Sequence, residues 1–139
     1  MKGLIIRQPW LDLILGGLKP WEIRSSNTKI RGRICLIESG SGEIKGTAEL
    51  TDSFRLNYAD YMANADNHRI NGNELYFTYN MPHVWAMKEP VKLDKPIPYK
   101  HPKGAVIWVN LPDDILIQPR HQGLFFYPLY LRNSTLCSF

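Results

Sequence analysis

Arg7-Gln8-Pro9-Trp10-Leu11-Asp12-Leu13-Ile14-Leu15-Gly16-Gly17-Leu18-Lys19-Pro20-Trp21-Glu22-Ile23-Arg24 holds the pattern from which the rest of the chain is read. Proline suits the first turn of a helix, where its missing N–H would have had no partner. Trp10, Leu13 and Ile14 fall at i, i+3 and i+4, one apolar stripe, and Gly16-Gly17 supplies a stop. The spacing predicts a short helix of about two turns, buried on one side. Glu22 and Arg24 lie two apart, so a strand over this stretch turns both to one face. Strand parity would turn Lys19 the other way, unless Pro20 breaks the regular approach to the strand.

Outward from this stretch, Lys2 to Arg7 reads as a first strand. Ile34 to Glu38 and Ile44 to Leu50 read as two more, followed by Val84 to Met87 and Ala105 to Leu111. Residues 56–73 are polar, with Tyr58, Tyr61 and Met62 at helical spacing, which predicts a short helix and then a loop. Pro90, Pro96, Pro98 and Pro102 predict a path that is irregular or runs along a sheet edge. Several short strands with one or two short helices, no internal repeat and no strand–helix alternation predict an α+β class built on a small β-barrel. Leu124 to Tyr130 is too apolar for a free tail and is expected to pack on the barrel, on a protein partner or in a homodimer.

The 139 residues suit a single domain, and 44% hydrophobic with 22% charged residues is ordinary globular composition. No apolar run is long enough to span a bilayer, and Arg7 and Asp12 interrupt any export signal, so no membrane association and a cytoplasmic location are expected. Cys35 and Cys137 with four histidines show no metal-ligand spacing, so neither a metal nor another cofactor is expected. The net charge of +4 is unevenly spread. Residues 1–33 carry seven basic side chains against two acidic, residues 34–79 three against seven, and residues 80–110 five against two. Two basic segments around an acidic one predict a positive face suited to phosphates.

The segment Arg7-Gln8-Pro9-Trp10 followed by Gly17-Leu18-Lys19-Pro20-Trp21-Glu22-Ile23-Arg24 resembles an ASCH domain. That family is marked by a Gln-Pro-Trp/Tyr helix start and then Gly-x-Lys-x-x-Glu-x-Arg. Arg31-Gly32-Arg33, Val84-Trp85-Ala86-Met87 and Gly104-Ala105-Val106-Ile107-Trp108 match later features in order, over residues 1–111. The resemblance implies a PUA-like barrel over 1–111, with 112–139 as a C-terminal extension. It also implies a cleft lined by the Lys19 to Arg24 segment that takes RNA or a nucleotide-like ligand. Some family members resemble this chain while acting as hydrolases, either ribonucleases on single-stranded RNA or amidohydrolases on acetylated cytidine nucleosides. In those amidohydrolases a threonine nucleophile stands where this chain has Glu22.

The residue chemistry fits such a cleft. Lys19 in a turn can pair with a phosphate or, if desolvated, lose its proton readily and act as a base, so Lys19 and Glu22 are the candidates for catalysis. Arg24 offers a planar fork for a phosphate, and Glu22 can accept hydrogen bonds from a ligand amine. Gln8 and Trp10 open the helix, whose unpaired N–H groups attract anions. Trp10 can also stack a base, although a tryptophan on an apolar stripe more often belongs to the core. Arg31, Arg33 and Lys103 are candidate backbone contacts, while Ser39 in a Gly/Ser loop has no base placed beside it. Lys19 and Arg24 are expected to lie outside the core.

Overall fold

Strand β1 (Lys2–Ile6) alternates between two cores, Leu4 and Ile6 facing one and Ile5 the other. Strand β3 (Gly32–Glu38) does the same, with Ile34 and Leu36 on the first side and Cys35 and Ile37 on the second. Burial on both faces is why these strands read as continuous apolar runs, and it suits the parallel pair they form, Gly3 beside Cys35 and Ile6 beside Glu38. The computed structural model describes residues 1–120 and 123–126 of the chain.

β1 and β3 sit inside a six-stranded sheet of order β2-β5-β4-β3-β1-β6, where β2 is Trp21–Arg24, β4 Glu43–Arg55, β5 His83–Pro98 and β6 Trp108–Asn110. β4 and β5 are far longer than the sequence suggested and pair antiparallel from Glu43–Pro98 to Arg55–His83, with three irregularities in register. Such bulges bend a long ribbon and increase its twist, which is how 13- and 16-residue strands wrap a small core. Gly46 sits at the tightest point. A Cβ there would lie 2.4 Å from Leu15 Cδ2 and 2.5 Å from the Val91 carbonyl oxygen. Pro90, Pro96 and Pro98 fall in the half of β5 beyond its pairing with β2, on an edge where no ladder N–H is required.

The expected barrel does not close. β2 and β6 end the sheet without pairing with each other, and both are short, four and three residues. Of the apolar stretch from Ala105 only residues 108–110 are strand, and Val106 is 75% exposed. In place of a closing ladder, the Arg24 side chain reaches from β2 to the Ile5 carbonyl of β1, at 2.8 Å. The class is therefore α+β with an open, coiled sheet.

Helix α1 (Trp10–Leu15) covers the first face through Leu11, Ile14 and Leu15. This buried stripe is one phase away from the predicted one, and Trp-Leu-Asp-Leu-Ile-Leu is apolar enough to satisfy either. α2 (Tyr58–Ala63), α3 (Ala65–His68) and α4 (Glu74–Tyr79) form a lobe between β4 and β5. Its core joins Tyr61 to Ile23, Leu56 and Val84, with Ile70, Leu75, Tyr76 and Tyr79 packed alongside. The second face of the sheet holds Ile44, Leu93, Ile97 and Val109, and continues past residue 111 to Leu116. β7 (Ile117–Arg120) and β8 (Gly123–Phe126) make a separate two-stranded sheet. The rest of the expected apolar tail, residues 127–139, lies outside the described residues, as do residues 121–122. Among the described residues no helix is long and apolar enough to cross a membrane.

Candidate functional site

Where β2 fails to meet β6, a cleft of about 640 Å³ opens. Glu22, Ile23 and Arg24 of β2 line it, with Ile5 and Arg7 at the end of β1 and Trp10 of α1. The helical lobe contributes Ile70, Leu75 and Tyr79, the β3–β4 turn Ser39 and Gly40, and the loop before β6 His101, Ala105 and Val106.

Lys19 and Pro20 precede the strand, which starts at Trp21, so strand parity does not govern them. Lys19 follows the turn at Gly17 (φ +79°) with its N–H bonded to the Leu13 carbonyl. Its ammonium therefore comes to 3.7 Å from Glu22 Oε1. Contrary to expectation, Lys19 belongs to the interior at 1% exposure, and it does not line the cleft. Its ammonium donates to the backbone carbonyl of His68, across 49 residues of chain, and lies 5.0 Å from the centre of the Trp10 ring. Burial pushes its pKa from 10.5 down to about 8, with the Glu22 charge opposing the fall and the Arg24 charge adding to it.

Glu22 is 5% exposed and its carboxylate is heavily engaged. Oε1 accepts the Ile23 N–H at 3.2 Å, and Oε2 accepts both Arg24 Nε at 3.1 Å and Nη2 at 2.9 Å. A group so committed to its own chain has little capacity left for a ligand amine. Arg24 is also held by the Ile5 carbonyl and lies over the Trp85 ring at 5.4 Å. The bonds to Glu22 and Ile5 use Nε and Nη2, leaving Nη1 without a bond among the described residues. The Arg7 guanidinium, exposed on the cleft, likewise forms no bond or ion pair among them.

His68 sustains this arrangement from the lobe. It is 1% exposed, donates from Nε2 to the Tyr61 carbonyl at 2.7 Å, and accepts the Ile70 N–H at Nδ1 at 3.0 Å. That pairing requires the neutral ring. Burial lowers its pKa below 6.5, its bond to Tyr61 works the other way, and the Lys19 charge lowers it further.

The other predicted residues sort by position. Trp10 is half-buried, packed on the core and lining the cleft. Gln8 lies beside the cleft and is occupied by the helix: its Oε1 accepts the Asp12 N–H, and its Nε2 donates to Asp12 and Glu38. Arg31 bonds the Thr28 and Ile30 carbonyls, and Arg33 bonds Thr47 and Glu89. Neither lines the cleft, and Lys103 does not, although its loop neighbours His101 and Ala105 do. Arg7, Tyr79 and His101 were not singled out. Arg7 had a visible signal as the residue just before the helix start, whereas Tyr79 and His101 reach the cleft only through the tertiary fold. No group of three or more metal-ligating side chains comes together among the described residues.

These features define an α+β domain with a cleft at the seam of its sheet, lined by Arg7, Glu22 and Arg24, with the Lys19 ammonium buried behind Glu22. The ASCH domain family model matches residues 4–100, and the chain belongs to that family, with its PUA-like fold. The crystal structure of ASCH from Zymomonas mobilis superposes with a TM-score of 0.62 at 12% identity, covering 82% of this chain and 89% of that one. Two single-residue variants of the same protein superpose similarly, with TM-scores of 0.62 and 0.60, each at 12% identity and 82% of this chain. These chains share the fold. No curated protein matches the sequence.

Proposed function

We propose that the cleft binds RNA or a nucleotide-like ligand, with Arg24 and Arg7 receiving phosphate oxygens and the apolar walls receiving the base and sugar. The observation that supports this most is the pair of unspent arginine edges. Arg24 and Arg7 line the cleft, and Arg24 Nη1 and the Arg7 guanidinium make no bond among the described residues, while the Glu22 carboxylate, which lines it too, is occupied by the chain's own donors. A guanidinium held rigid by a carboxylate keeps its free edge aimed, which lowers the ordering cost of gripping an anion. A volume of about 640 Å³ lies in the range of small-ligand clefts, and Trp10, Ile70, Tyr79 and Val106 offer surface for a flat ring.

Fluorescence anisotropy of a labelled single-stranded RNA across a salt series tests the reading. Each phosphate contact contributes about 0.7 to the slope of log affinity against log salt. Arg7→Gln is expected to reduce the slope by one such contact, and Arg24→Lys to weaken binding at every salt concentration because it loses the fork. Parent-like binding by both variants throughout the titration would exclude the cleft as the RNA site. A hydrolytic role draws on the lowered pKa of Lys19, yet that ammonium reaches no cleft surface. Binding is therefore the reading we favour. Incubation with the same RNA and with acetylated cytidine separates the two, since a cleaved or deacetylated product would move the assignment to catalysis.

A further inference from the structure

We propose that Lys19 is a positioning residue which never touches the ligand and which keys the helical lobe to the anion-receiving arm of the cleft. The inference rests on the RNA-binding reading for its ligand, and on geometry for its mechanism.

Two arms meet at this ammonium. One runs from Lys19 to Glu22 Oε1 at 3.7 Å, and from Glu22 Oε2 to Arg24, which lines the cleft and whose Nη1 makes no bond among the described residues. The other runs from Lys19 to the His68 carbonyl, and from the His68 ring to the Ile70 N–H, with Ile70 forming a cleft wall. Arg69 adds a parallel tie, donating from Nε to the Leu18 carbonyl at 2.8 Å. Lys19 is thus sealed behind the cleft with one neighbour on β2, which lines it, and one at the end of α3, two residues before the lining Ile70. A charge at that junction draws Glu22 and the His68 carbonyl together. A neutral amine there keeps the steric contact and gives up the attraction to Glu22.

The groups facing this ammonium are few. β2 supplies Glu22 and Arg24, α3 supplies His68, and α1 supplies the Trp10 ring. Tyr61 of α2 stacks on the His68 ring rather than reaching Lys19. Arginine keeps its charge throughout the ordinary pH range, and His68 changes protonation below 6.5, so a transition near pH 8 in this array belongs to Lys19.

The first test needs no ligand. In the full chain, the Lys19 Cε resonance, the Ile70 amide and the Arg24 Nε–H are followed by NMR from pH 6.5 to 9.5. A shared midpoint near 8 at all three, lost at Ile70 and Arg24 in Lys19→Met, is the expected result. A Lys19 midpoint near the ordinary 10.5, or a Lys19 transition that neither Ile70 nor Arg24 senses, overturns the proposal. The parent titration decides this even where the variant does not fold.

The second test uses a labelled single-stranded RNA oligonucleotide. Lys19→Met is expected to weaken binding about fivefold or more while leaving the salt slope unchanged, because no phosphate contact is lost. A slope shallower by about 0.7 would make Lys19 a direct phosphate contact and refute the positioning role. If the parent binds no RNA, the functional reading fails, and the NMR titration still judges the two-armed coupling on its own.

Discussion

Glu22→Gln removes one negative charge and almost no volume, so it isolates what the carboxylate does for the two cations around it. One is the Lys19 ammonium, its side chain fully buried, 3.7 Å away; the other is the Arg24 guanidinium, 18% exposed and bonded at 2.9 and 3.1 Å. Removing one partner of a buried ion pair leaves an uncompensated buried charge and typically costs about 3–5 kcal/mol. For a chain of this size, that corresponds to a drop of roughly 10–20 °C in melting temperature. The loss should depend on pH. Glu22 holds the Lys19 pKa up against burial, so in the variant the lysine gives up its proton more easily. Near pH 6 the parent lysine is charged and Glu22 contributes fully. Above the parent value of about 8 it is neutral, and only the Arg24 part of the loss remains. Comparing thermal melts of parent and variant at pH 6 and pH 9 cancels every group the two proteins share. The gap is expected to be largest at pH 6 and to shrink at pH 9. Equal gaps at both values, or a change under about 2 °C at pH 6, would refute the picture of a buried array balanced on Glu22.

Gly46→Ala forces a methyl group against the Val91 carbonyl oxygen and Leu15, and backbone cannot yield as a side chain does, so a loss of about 1–3 kcal/mol in chemical denaturation is expected. The neutral His68 ring sets an acid limit. Its folded pKa lies below its unfolded value of 6.5, so the unfolded chain takes up a proton first and stability falls as pH drops from 6.5 through the folded value. Urea midpoints at pH 7.5 and 5.0 measure this fall, and His68→Gln is expected to flatten the difference. Treatment with EDTA is expected to leave the melting temperature unchanged, since no metal-ligating cluster forms among the described residues. A clear decrease would reveal a structural metal.

The helix start, the glycine stop and the shared face of Glu22 and Arg24 were legible because each depends on neighbours within four residues. The position of Lys19 was legible only as a condition, that Pro20 interrupt strand parity, and the strand indeed begins after it. Its burial was not legible, because the His68 carbonyl that receives it stands 49 residues away and a carbonyl carries no side-chain signature. β5 was read short because Pro90, Pro96 and Pro98 break a strand that is paired on both sides, whereas here they occupy an edge. α4 was missed under the Asn71-Gly72-Asn73 turn, although Leu75, Tyr76 and Tyr79 carry a helical period just after it. Barrel closure follows from whether two end strands meet, and nothing local to β2 or β6 encodes that.

The edge half of β5 bears on how a second copy of the strand would meet this sheet. A strand with an unpaired flank is a template for another chain, and residues 88–98 pair with no second strand on that side among the described residues. Pro90, Pro96 and Pro98 have no N–H to donate, and Lys88, Glu89, Lys92, Asp94 and Lys95 set exposed charges along the stretch, so that a second strand approaching it meets missing donors and solvated charge. The residues that obscured the strand in the sequence are thus suited to let so long an edge exist at high concentration without seeding a fibre.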